Sequence, residues 1–71
     1  MNEGKLKDAI EVFKMNIEKY PQSWNVYDSL GEAYMNDGNK KYAIENYEKS
    51  YKMNQNNTNA VEKLKELRGN I

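Results

Sequence analysis

Apolar residues recur along this chain at helical spacing. Leu6, Ala9, Ile10, Phe13 and Ile17 follow i, i+3, i+4, i+7 and i+11, the stripe of an amphipathic helix. Val26, Tyr27, Leu30, Ala33 and Tyr34 trace a second stripe. A third runs through Tyr42, Ala43, Ile44, Tyr47, Ser50 and Tyr51. Val61, Leu64 and Leu67, with the aliphatic stem of Arg68, make a shorter fourth. No segment alternates with period two over a useful length, so no strand is predicted. The pattern predicts an all-α fold of about four helices, at 4–19, 24–36, 40–53 and 58–69.

The breaks between stripes carry the residues that end and start helices. Pro21 cannot continue a helix and biases Tyr20 away from the αR region, so the first helix stops near Lys19. Ser23 is a fair N-cap for the helix entered at Trp24. Asn36-Asp37-Gly38-Asn39 is a turn cluster in which Gly38 can take the left-handed conformation that closes the second helix. Asn54-Gln55-Asn56-Asn57-Thr58 breaks the third, and Asn57 or Thr58 can cap the fourth.

The chain also matches itself at a shift of 34 residues. Met1-Asn2-x-Gly4 falls on Met35-Asn36-x-Gly38, Ala9-Ile10-Glu11 on Ala43-Ile44-Glu45, and Phe13 on Tyr47. Asn25, Leu30 and Glu32 meet Asn59, Leu64 and Glu66 without a gap. In this register the first and third helices are counterparts, and so are the second and fourth.

Those residues resemble tetratricopeptide repeats. The central run reads Tyr27-x-x-Leu30-Gly31-x-x-Tyr34, then Ala43-x-x-x-Tyr47 and Ser50, with tyrosines where the family pattern has Trp and Phe. The family's closing proline is Gln55 in this unit and Pro21 in the preceding one. The resemblance implies a single domain over 1–71 of antiparallel helix hairpins: one full repeat at 24–57, flanked by half repeats at 1–23 and 58–71. Close packing explains the residue types, with Gly31 and Ala43 small where two helices approach and Tyr34, Tyr47 and Leu30 filling the space between hairpins. In the last helix the small and aromatic positions become Lys65 and Arg68, which suits a capping helix with one face in water. Ser23 to Tyr34 is further similar to short modules of this family at the C-terminus of bacterial hydrolases. The mirrored start, Met1-Asn2-Glu3-Gly4 against Met35-Asn36-Asp37-Gly38, implies a chain that opens partway through a repeat.

Composition then narrows the chemistry. The 71 residues include 11 Lys+Arg, 11 Asp+Glu, no histidine and no cysteine. Disulfides, thiolate catalysis, histidine general-base chemistry and Cys/His zinc sites are excluded together. Ser23, Ser29, Ser50 and Thr58 have no histidine to activate them. Carboxylate neighbours such as Asp28 with Glu32, or Glu45 with Glu48, read as solvated helix charge. Asp37-Gly38-Asn39 lacks the ligand ladder of a calcium loop and reads as a turn. No catalytic residue, cofactor or metal is expected. A formal net charge of zero argues against nucleic acid as a partner. Mean hydropathy of −1.11 leaves no transmembrane stretch, so no membrane role is expected.

Two surfaces remain. By resemblance, a peptide groove would be lined by Asn25, Asp28, Glu32, Met35 and Asn36, continued by Asn59, Glu62 and Glu66. Its acidic, amide-rich character would repel a terminal carboxylate and suits a basic or amide-rich peptide. The second is the stripe Leu6, Ile10, Val12, Phe13 and Ile17, with Met15, part of which is expected to lack cover. It implies docking on a parent catalytic domain, a homodimer, or helix exchange between copies. The functional expectation is a non-catalytic protein–protein or interdomain contact module, with an accessory tail of a bacterial hydrolase or a capping unit of a longer helical solenoid as alternatives.

Overall fold

The computed structural model describes residues 3–69; Met1 and Asn2, which open the self-match, lie outside the described residues, as do residues 70 and 71. Four helices follow one another: α1 (Glu3–Lys19), α2 (Trp24–Asn36), α3 (Lys40–Met53) and α4 (Thr58–Leu67). Among the described residues there is no strand, and no helix is long and apolar enough to cross a membrane.

Each boundary has a local cause. Tyr20 N–H still reaches Asn16 O at 2.7 Å, after which Pro21 forces the chain into a turn. Gly38 closes α2 at φ 81°: its N–H donates to Met35 O at 3.1 Å, and Asn39 N–H reaches back to Tyr34 O at 2.9 Å. This pair of bonds is a Schellman closure, which needs the left-handed residue that glycine supplies. Asn39 then caps α3 by accepting from Tyr42 N–H, and Asn57 caps α4 by accepting from Ala60 N–H. Ser23 occupies the N-cap of α2 without a side-chain bond, and its backbone carbonyl receives Val26 N–H instead. The fourth helix stops at Leu67, two residues short of the expected end, because Gly69 turns left-handed at φ 87°.

Packing runs chiefly between sequence neighbours, α1 on α2, α2 on α3 and α3 on α4. Helices α2 and α3 are antiparallel: Trp24, Gly31 and Tyr34 meet Ser50, Tyr47 and Tyr42 in turn. The shortest dimension is 15 Å between Cα extremes, which is two helices deep for axes about 8–10 Å apart. Every helix therefore keeps a face toward solvent.

The core is Ile10, Leu30, Ala33, Tyr34, Ala43, Tyr47, Ala60, Leu64 and Leu67, with Leu6, Phe13, Ile17, Met35 and Ile44 packed against it. Gly31 lies against the face of the Tyr47 ring, where an added Cβ would sit 3.0 Å from Cδ2. The third stripe is narrower than its spacing implied. Ala43, Tyr47 and Ser50 are fully enclosed, whereas Tyr42 and Tyr51 stand on the flanks and are exposed. Tyr42 leans instead on the Tyr34 ring, with centroids 5.2 Å apart. Ala60, absent from the fourth stripe, is fully buried.

Candidate functional site

A polar chain threads the three C-terminal helices. Ser50 Oγ donates to Trp24 O at 2.9 Å and accepts from Asn57 Nδ2 at 2.9 Å. The same amide donates to Asp28 Oδ1 at 3.1 Å, while Asn59 Nδ2 donates to Asp28 Oδ2, also at 3.1 Å. Ser50 and Asn57 are buried, so each bond replaces one the group would otherwise make to water. Asn57 uses both ends of its amide, because its oxygen is the α4 cap.

Beside this chain, Tyr47 is fully buried and its hydroxyl has no hydrogen-bond partner among the described residues. Burial pushes its pKa well above the ordinary tyrosine value, and the carboxylates of Asp28, Glu32 and Glu66 push the same way. Three acidic groups, two on α2 and one on α4, thus add to the effect of burial on one phenol.

The expected groove residues divide accordingly. Asp28, Glu32 and Glu66 each raise the Tyr47 pKa through their charge, and Asn59 is joined to Asp28. Asn25, Asn36 and Glu62 are exposed, and Met35 is half-buried against the core. The tie between Asp28 and two asparagines was not evident from the sequence; the Asn-rich run before Thr58 was its only signal. In α1, Ile10 is buried, and Leu6, Phe13 and Ile17 are partly covered by the core. Val12 and Met15 stand 53% and 65% exposed, so the open part of that stripe is its outer edge.

An open trough of about 970 Å³ runs between α3 and α4, lined by Tyr27, Tyr51, Val61, Leu64, Lys65 and Arg68 among others. Lys49 Nζ stands 5.4 Å from the Tyr27 ring centroid, and Arg68 pairs with Glu48 beside it. At the α1–α2 contact the Tyr34 hydroxyl first, and Glu11 at 3.7 Å after it, hold the Lys14 ammonium above its ordinary range. No group of three His, Cys, Asp or Glu among the described residues is arranged to hold a metal ion. No protein-family model matches the chain, and no curated protein matches it in sequence.

Proposed function

We propose that the chain is a non-catalytic contact module of tetratricopeptide-repeat type, which binds a basic or amide-rich peptide segment of a partner protein. The observation that carries this reading is the tie of Asp28 on α2 to Asn57 and Asn59 at the start of α4, with the exposed carboxylates Glu32 and Glu66 on the same two helices adding their charge at Tyr47. Carboxylates that raise the pKa of a nearby phenol also attract a cation, by the same field. Glu32 and Glu66 are exposed and able to meet a ligand, whereas Asp28 has both oxygens engaged inside the molecule. Recognition therefore falls to Glu32 and Glu66, with Asp28 contributing charge at a distance. Two exposed carboxylates on two helices give a small area and weak, salt-dependent binding.

The test is fluorescence anisotropy with a labelled lysine-rich peptide and with its glutamate-rich counterpart. The basic peptide should bind and the acidic one should not. The variant carrying both Glu32→Lys and Glu66→Lys should lose binding while its circular dichroism stays helical. Equal binding of both peptides, or binding unaffected by the double reversal, would remove this face from the function.

A further inference from the structure

The trough between α3 and α4 corresponds, in the repeat register, to a place already filled elsewhere in the molecule. Val61, Leu64, Lys65 and Arg68 are the counterparts of Tyr27, Leu30, Gly31 and Tyr34. On α2 those positions receive α3, with Gly31 against Tyr47 and Tyr34 against Tyr42. On α4, Leu64 is buried against the core, but Val61, Lys65 and Arg68 border the open trough and no further helix among the described residues lies on them. In the repeat register, the trough is therefore a seat for a helix of α3 type.

Helix α1 is the counterpart of α3, and no helix among the described residues seats it as α2 seats α3. Ala43, Tyr47 and Ser50 are fully buried, but their counterparts Ala9, Phe13 and Asn16 are only half-buried. One end of the molecule thus shows an incomplete α1 face, and the other an empty seat for such a face. From this we infer that a second copy seats its α1 in the trough, joining copies head to tail.

Charge supports this occupant over an unrelated helix. Laying α1 into the trough as α3 lies on α2 converts the Tyr34–Tyr42 contact into a contact between Arg68 and Asp8 of the next copy. Opposite charges stand where the enclosed unit has two rings. Asp8 is exposed, and the Arg68 guanidinium has donors left beyond its Glu48 pair. The Gly31–Tyr47 contact becomes Lys65 under Phe13, a lysine stem along a ring in place of bare backbone. That exchange makes the junction looser than the contact within the chain, so association is weak. The contact is heterologous, so a pair still offers a free α1 at one end and a free trough at the other, and association runs past a dimer. The inference rests on the repeat reading but not on the acidic face.

Sedimentation velocity of the full chain, from about 10 μM to about 1 mM, tests it. The mean mass should rise past that of a dimer, and added salt should lower it. Asp8→Arg alone and Arg68→Asp alone should each weaken association by about tenfold or more, while circular dichroism shows both folded. Mixing the two variants should restore it, since every junction again pairs Arg with Asp. A strict monomer throughout, a mass that stops at a dimer, or a mixture that stays monomeric would overturn the inference. Such a result alongside intact binding of the basic peptide would leave the acidic face standing.

Discussion

Asn57 Nδ2 stands 3.1 Å from Asp28 Oδ1, tying the first residue of the α4 cap to the middle of α2. One amide thereby joins elements that otherwise meet mainly through α3. Asn57→Ala removes the cap acceptor and the donor to both Ser50 and Asp28. A loss of about 2 kcal/mol is expected, combining a cap of about 1 kcal/mol with the bonds left unmade. Urea denaturation should show a lower midpoint with little change in slope.

Gly31 and Tyr47 set a second expectation. The ring is fully enclosed and has no room to retreat from a Cβ at 3.0 Å. Gly31→Leu should cost about 3 kcal/mol by overpacking this contact. Gly38→Ala should cost about 1 kcal/mol for a different reason, since its surroundings are open and only its positive φ objects. Comparing the two by thermal unfolding separates crowding from backbone strain. An unchanged melting temperature for Gly31→Leu would refute the packing described for α2 and α3.

The sequence laid out the helices more fully than their polar connections. Stripes such as Ala43, Tyr47 and Ser50 are local, and local spacing decides which face a helix buries. Gly38 and Asn57 were nearly as legible, because each acts within one turn, whereas Asn39 reads from the sequence only as part of a turn and Ser23 makes no side-chain bond as a cap. The Trp24–Ser50–Asn57–Asp28 chain was not, since its members pair across 26 and 29 residues. Tyr42 and Tyr51 were misplaced for a related reason: period alone does not say how wide a stripe the neighbouring helix covers. The sequence places Asp28, Glu32 and Glu66 in one expected groove, but it cannot separate Asp28, held internally, from Glu32 and Glu66, which are exposed.

The Tyr47 hydroxyl is a buried polar group without a hydrogen-bond partner among the described residues. Tyr47→Phe should therefore stabilise the fold by about 1 kcal/mol. Phe13, its counterpart in the repeat register, already lacks the oxygen.

The same residue sets an alkaline limit. The unfolded chain releases the Tyr47 proton near pH 10, while the folded chain holds it to higher pH. The folded state thus binds more protons in that window, and rising pH favours unfolding. Stability should be unaffected by this group below pH 10 and fall above it. Tyr47→Phe should flatten that fall, which chemical denaturation at stepped pH will measure.

Arg68 and Glu48 form an ion pair that is half in solvent on both sides. Arg68→Ala should change the stability of the isolated chain by less than about 1 kcal/mol. A larger loss at low protein concentration would mean that Arg68 supports α4 in some other way.

Because each helix leans chiefly on those beside it in sequence, the molecule's cooperativity has a direction. Contacts close over short stretches of chain, so the loop-closure barrier is low and folding should be fast. The outer helices have one principal neighbour each and the inner pair has two. Amide hydrogen exchange should therefore be slowest around Leu30 and Tyr47 and quicken outward through α1 and α4. The two helices that end the row are the ones whose opening costs least. A partner seated on either would be felt first as slower exchange there, before any change in the midpoint of global unfolding.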